Sequence, residues 1–214
     1  MLTAAVAAAS ADVIMPKQLL LENINALRLE KGLYVCRNDR LMEETAQAYA
    51  EELSFLGVLS HEDARGNRAV GRLRERGSTA AFAGEILGFG GSLEDILKSW
   101  LQSPGHRKVV LFRNWSHAGI GISEYKQKLC VVVLFRVKPF TDIRVEKTQT
   151  GTAVTLSIDE AETGVPVVFS GSAAVKKIGG RMFLIEDESG GPFLRLGIQR
   201  GESAIITDSL MAAP

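Results

Sequence analysis

The sequence predicts an α+β protein in two parts: helices covering both faces of a small sheet, then a small all-β sandwich or barrel. Apolar residues recur at helical spacing through the first half of the chain. One run, Cys130 to Phe135, is apolar without alternation, which suits a strand buried on both faces. Beyond Lys138-Pro139, short β-prone runs alternate with glycine-containing turns. At 214 residues, with 46% hydrophobic and 23% charged residues, the chain suits one large or two modest globular domains and has core enough to fold unaided.

The opening Met1 to Ala11 is small and apolar, and Ala9-Ser10-Ala11 fits an A-x-A cleavage site before Asp12, although a basic n-region is missing. Residues 1–15 are therefore expected to be a signal-peptide remnant; the other reading is a short alanine-rich helix. From Lys17 to Lys31, Leu20, Leu21, Ile24 and Leu27 recur at helical spacing and Gly32 supplies the stop. Asn38 or Asp39 caps a second helix running through Leu41, Met42, Tyr49 and Leu53 to Gly57. Ala69 to Arg76 predicts a shorter helix stopped by Gly77. Ser92, with Asp95 at the capping-box position, opens another through Leu101. Ser103-Pro104-Gly105 reads as the turn that ends it. Ala118 to Ser123 and Leu129 to Val137 are strands, so residues 16–137 are expected to form the first domain.

Residues 138–214 form the second. Its runs are Ile143 to Lys147, Ala153 to Ile158, Val165 to Ser170, Arg181 to Ile185, Phe193 to Ile198 and Ala204 to Thr207, with turns at Gly151, Gly164, Gly179-Gly180, Gly190-Gly191 and Gly201. That punctuation predicts a small β-sandwich or barrel with an independent but marginal core. From Phe140 onward there is no His, Cys, Tyr or Trp. Binding, spacing or stabilisation is thus the expected role of this part, rather than acid–base or nucleophilic chemistry.

Lys plus Arg equals Asp plus Glu at 25 each, and neither half carries the basic excess that phosphate neutralisation would favour, which argues against nucleic acid as a partner. No apolar run approaches the ~18 residues that cross a bilayer. Cys36 and Cys130 are too few for a disulfide framework and match no zinc spacing; a single bridge between them and two buried thiols both remain open.

Three residues are candidates for chemistry. His61 follows the helix that ends at Gly57 and so sits on a loop; Glu85 stands between Gly84 and Ile86-Leu87; His106 follows the Ser103-Pro104-Gly105 turn, which fixes where its imidazole points. Two imidazoles and a carboxylate suit the first shell of a Zn²⁺ with an open fourth position, and equally suit a hydrogen-bonded cluster without metal. Their wide spacing lacks the short pairing of an H-E-x-x-H helix. Glu62 and Asp63 flank the first histidine, and His117 reads as a polar strand-start residue. A serine-hydrolase reading through Ser60 or Ser103 is disfavoured, since neither lies in a G-x-S-x-G elbow.

Taken in order, Ser60-His61, Gly84-Glu85 and Trp100-Leu101-Gln102-Ser103-Pro104-Gly105-His106-Arg107, followed by Ala118 to Ile122, resemble the CAP superfamily of cysteine-rich secretory, antigen 5 and plant pathogenesis-related proteins, and within it the bacterial SCP-like members. The resemblance covers roughly Pro16 to Val137 and implies a three-layer αβα sandwich. It implies that His61, Glu85 and His106 match three of four positions in a cleft of two histidines and two acidic residues. At the fourth position, three residues after Trp100, stands Ser103 with Gln102 beside it, and neither is an anionic ligand. The implied protein is an exported bacterial one, periplasmic, cell-surface or extracellular, whose cleft binds a lipid, glycan or protein ligand without turnover. Two alternatives stay open: a metal-assisted hydrolase, most plausibly a protease, holding Zn²⁺ or another divalent metal at His61, Glu85 and His106; and an adhesin or surface interaction protein whose partner meets the β domain.

Overall fold

The computed structural model describes residues 2–160, 164–171, 174–186 and 193–211, with side chains from Pro16 onward. The chain divides into two compact units, one comprising Met1–Ser78 and Ala83–Arg136, the other Thr79–Phe82 and Val137–Pro214. The side chains of the expected signal-peptide remnant and the Gly190-Gly191 turn lie outside the described residues.

In the first unit, α1 (Leu2–Glu30) begins upstream of the helix read from periodicity and contains Pro16. It buries Leu20 and Ile24. Near its end Arg28 is fully buried. Its guanidinium donates to four main-chain carbonyls: Tyr34 at 2.9 Å, Val110 at 2.7 Å, Phe112 at 3.0 Å and Trp115 at 3.2 Å. Burial pulls its pKa down, with a smaller opposing contribution from Cys36.

The sheet of this unit has the order β1 (Arg37–Asn38), β3 (His117–Tyr125), β4 (Lys128–Arg136), β2 (Gly84–Gly90). β1 runs parallel to β3 and the other pairs are antiparallel. Cys130 to Phe135 on β4 are all fully buried, as expected of an unbroken apolar run between two neighbours. The register places Glu85, Leu134 and Gly119 on one face with Leu87, Val132 and Gly121, while Gly88, Val131 and Ile122 point to the other.

α2 (Arg40–Leu56) lies against the Gly119 face and α4 (Leu93–Gln102) against the Gly88 face. A Cβ on Gly119 would overlap the backbone of Met42 and Glu43, and one on Gly121 the backbone of Ala46 and Gln47. The helix therefore approaches β3 at main-chain contact, which only glycine permits. On the opposite face a Cβ on Gly88 would meet Ile96 and Trp100, and Trp100 Nε1 donates to the Leu87 carbonyl at 2.7 Å. The expected caps are present: Asp39 accepts from Met42 N–H at 2.9 Å, Gly57 closes α2 in the left-handed region at φ 68°, and Ser92 accepts from Asp95 N–H at 3.1 Å.

Besides the longer α1 and the short β1, two elements depart from the sequence expectation. Ser103 ends α4 and at once caps α5 (Pro104–Val110), so Ser103-Pro104-Gly105 starts a helix as well as ending one. Proline suits the first helical position because its missing N–H would have no partner there. β2 carries no strand signal in the sequence, since Gly84, Gly88 and Gly90 dilute its pattern.

Between α2 and α3 (Ala69–Glu75) the chain is held by Asp63, which is buried. Its Oδ1 accepts from Arg65 N–H at 2.9 Å and Asn67 N–H at 2.8 Å, and its own N–H donates to the Asn67 carbonyl at 3.0 Å. Burial opposes ionisation of this carboxyl, but the N–H groups of Asn67 and Arg65 outweigh it and hold the pKa below the ordinary value.

The second unit has two antiparallel sheets. One has the order β5 (Phe140–Thr148), β6 (Gly151–Ile158), β9 (Met182–Glu186), β8 (Ala174–Gly179); the other has the order β11 (Ser203–Met211), β10 (Phe193–Arg200), β7 (Val165–Ser170). Alternate residues of both, among them Val154, Leu156, Phe183, Ile185, Leu194 and Leu196, form one core. β8 is absent from the sequence expectation because Lys176 and Lys177 interrupt its apolar pattern. Thr79–Phe82 lies along β11, with Ala81 N–H donating to Thr207 at 3.0 Å and Ser209 N–H to Thr79 at 2.7 Å. Asp208, also buried, accepts from Thr79 Oγ1 at 2.6 Å and Thr207 Oγ1 at 2.8 Å.

Cys36 and Cys130 are free and buried. Cys36 precedes the Arg37–His117 pair while Cys130 pairs with Ser123. They are thus separated by about 20 Å along β3 at ~3.3 Å per residue, far beyond the ~7 Å Cα limit of a disulfide. Burial pushes both thiols up to about 11.

Three outcomes follow from this architecture. Gly121→Ala is expected to lower the denaturant midpoint by the equivalent of about 1–3 kcal/mol or more, because backbone and not a mobile side chain must move. A thiol reagent at pH 8 should leave both cysteines of the folded protein unmodified and label both after unfolding in guanidinium; rapid labelling of the native form would contradict their burial. Because the Asp63 pKa is depressed on folding, its contribution is present above the unfolded value of about 3.9 and disappears as pH falls through the folded value. Asp63→Asn should therefore weaken the protein at pH 7 by about 1–3 kcal/mol, and urea titrations at pH 3 should show that gap narrowing.

Candidate functional site

His61 lies on the loop after α2, with its side chain 53% exposed, and its Nδ1 is 2.7 Å from Oε1 of Glu85. Glu85, on β2, has a buried side chain. Its second oxygen accepts from Nη2 of Arg72, itself buried on α3. Through Nη1, Arg72 also donates to the carbonyls of Asn67 at 2.6 Å and His61 at 3.3 Å. Its guanidinium lies 3.5 Å above the ring centroid of Tyr49 on α2, a cation–π contact worth about 2 kcal/mol when desolvated. Tyr49 donates its hydroxyl proton to the Ser60 carbonyl, immediately before His61. Burial raises the Tyr49 pKa, with Arg72 opposing and Glu85 adding to the shift. The carboxylate, guanidinium and phenol thus hold the backbone on both sides of the histidine as well as its ring.

His106 comes from α5, and its Nδ1 is buried without a hydrogen-bond partner. Among the described residues no hydrogen bond joins it to His61 or Glu85, and no group of three or more His, Cys, Asp and Glu side chains is arranged to hold a metal ion. Both oxygens of Glu85 are occupied, one by an imidazole and one by a guanidinium. The carboxylate as placed does not fit a zinc ligand; it fits the role of a partner that orients His61.

The flanking residues sort by their contacts. Glu62 forms an exposed ion pair with Arg68 at 2.9 Å, away from the pair, whereas Asp63 shapes the loop. Ser60 Oγ donates to the Glu62 carbonyl at 2.7 Å, and Ser103 is a helix cap, so neither hydroxyl is bonded to a histidine. His117 stands at the start of β3 with Nδ1 2.9 Å from Ser116 Oγ. The parts played by Arg72 and Tyr49 are not visible in the sequence pattern. The available signal was positional, since Arg72 shares the buried side of α3 with Ala69 and Leu73. Before the histidine loop, Phe55, Leu56, Val58 and Leu59 are exposed at 83%, 52%, 55% and 45%.

Comparison with known proteins adds the family. The model of the cysteine-rich secretory protein family, CAP, matches residues 21–135. Protein YkwD of Bacillus subtilis (strain 168) is 27% identical over 106 residues, 49% of this chain and 41% of YkwD. The membrane protein YlbC of the same strain is 27% identical over 106 residues, covering 48% of this chain and 30% of its own length. The matches thus span less than half of these relatives. Two solved structures share the fold. An outer surface protein of Borrelia burgdorferi has a TM-score of 0.52 at 24% identity, over 55% of this chain and 89% of that one. An extracellular SCP-domain protein of Bacillus anthracis str. Ames has a TM-score of 0.52 at 21% identity, over 59% and 41%. With the ordered motifs, the helix-covered sheet and the matched span together, the chain belongs to the CAP family of cysteine-rich secretory proteins.

Proposed function

We propose that this chain is an exported bacterial binding protein whose first unit, a three-layer αβα sandwich, takes a lipid, glycan or protein ligand at the His61 cleft without chemical turnover. The observation that carries this reading is the Arg72–Glu85–His61 arrangement. Glu85 has both oxygens engaged, so it is placed to orient the imidazole and not to ligate a metal or deliver a proton. The His61 side chain is 53% exposed, and among the described residues no serine hydroxyl is bonded to it, so it is open to a ligand as a recognition group.

The exposed run Phe55, Leu56, Val58 and Leu59 supports binding as well, because apolar surface beside a polar group is what a ligand of mixed character covers. An extracellular setting is supported by the two structural neighbours, described as an outer surface and an extracellular protein. No helix among the described residues is long and apolar enough to cross a membrane. The second unit is read as a β-sandwich from its two sheets around one core, with a role in binding, spacing or stabilisation.

The test uses the whole chain with ¹⁵N labelling and three probes: phospholipid vesicles, soluble peptidoglycan fragments and an unfolded polypeptide such as casein. One of them should shift resonances at His61 and Val58 saturably, with the affinity falling at least tenfold in His61→Ala and the probe recovered intact. Cleavage of casein that is lost in His61→Ala, or a Zn²⁺-dependent rise in melting temperature abolished by the double change of His61 and His106 to Ala, would replace this reading with the metal-assisted hydrolase.

A further inference from the structure

We infer that Arg72 is a positioning residue that fixes the tautomer of His61, so that the cleft presents a lone pair on Nε2 and selects a ligand carrying a hydrogen-bond donor. This deepens the binding reading and rests on it for its functional meaning.

The argument is one of donors and acceptors. The guanidinium has five N–H donors and no acceptor, and it stays protonated. Nη2 must therefore meet an acceptor, and it meets Oε2 of Glu85. Both groups are buried, with side-chain exposures of 6% and 5%, so water does not substitute for either. A carboxylate engaged by a cation in this way accepts at its other oxygen too. Oε1 lies 2.7 Å from His61 Nδ1, so the proton of a neutral ring sits on Nδ1 and the lone pair on Nε2.

Arg72 is itself held in place. It stacks on Tyr49 at 3.5 Å and donates to the Asn67 and His61 carbonyls, so the group that sets the tautomer also ties down the loop carrying the ring. Without the guanidinium, nothing holds the carboxylate oriented toward Nδ1, and the ring is released to either tautomer. Ligand hydroxyl, amide N–H or ammonium groups fit an Nε2 lone pair; a carboxylate or phosphate oxygen does not.

The test reads the ring directly and needs no ligand. Long-range ¹H–¹⁵N correlation spectra of the full chain at pH 8.5, where an ordinary imidazole is neutral, are expected to show His61 protonated at Nδ1 and unprotonated at Nε2. Glu85→Gln preserves shape but not chemistry. Arg72 claims the amide oxygen, the amide NH₂ turns toward Nδ1, and the His61 pattern should invert to the Nε2–H form. Arg72→Lys, which keeps the cation, should retain the wild-type pattern, while Arg72→Met should lose it. An Nε2–H ring in the wild type, or a Glu85→Gln spectrum with the same tautomer as wild type, overturns the inference; if Arg72→Met fails to fold, the Glu85→Gln comparison still decides. A correct tautomer with no bound probe would leave this inference standing while removing the binding reading, and the reverse result would do the opposite.

Discussion

The seating of α2 on β3 at main-chain contact is the constraint from which the geometry around Glu85 and Arg72 descends. Gly119 and Gly121 let the helix backbone come down to where a Cβ would otherwise lie. That depth places Tyr49 as a floor for Arg72, places the Tyr49 hydroxyl against the Ser60 carbonyl, and leaves Glu85 on the same face of the sheet as the helix. Gln47 adds to the seating: its side-chain amide donates to the Ile122 carbonyl at 3.0 Å and accepts from the Ile122 N–H at 3.1 Å. A segment of β3 lying beyond the two residues of β1 is thereby satisfied by a side chain in place of a neighbouring strand. Helix depth, strand edge and site geometry are one arrangement.

Buried charge does a second job in the first unit, which is to hold irregular chain in fixed places. Arg28 gathers the carbonyls of Tyr34, Val110, Phe112 and Trp115, binding the segments that follow α1 and α5 to each other. Asp63 gathers N–H groups of the His61 loop, and Arg72 gathers that loop's carbonyls and Glu85. Desolvating such groups offsets much of what their bonds return, so net stability is a weak reason for them. Directionality is the stronger one. A loop pinned only by apolar contact can slide, whereas carbonyls converging on one planar guanidinium cannot.

Legibility followed the same physics. α2 and α4 could be read because their apolar stripes and caps are local properties of the chain, and β4 because burial on both faces leaves an unbroken apolar run. β2 escaped because the glycines that let Ile96, Trp100 and Trp115 approach it also remove the strand signal. Of the candidate site, His61, Glu85 and His106 were singled out through ordered motifs; the structure bonds His61 to Glu85 and leaves His106 Nδ1 without a hydrogen-bond partner. Arg72 was hidden among the arginines of residues 68–76, since a buried cation and a solvated one look alike in sequence. Only the partner that neutralises it distinguishes them, and Glu85 lies on a different element.

Thr79–Phe82 was illegible for a related reason. Nothing in Thr-Ala-Ala-Phe marks it as belonging with residues more than a hundred positions later, yet Ala80 is fully buried and bridges to Asp208. The β11 edge is thus completed by chain taken from within the sequence of the first unit, held by two main-chain bonds and the Thr79–Asp208 contact. A second unit built in this way is not an appendage joined by one linker at Lys138-Pro139. Ending the chain near Val137 would strip the partner from Ala80 and leave its buried methyl and the neighbouring amides to water. The segment so exposed leads directly through Ala83 into Gly84 and Glu85, the strand that orients His61.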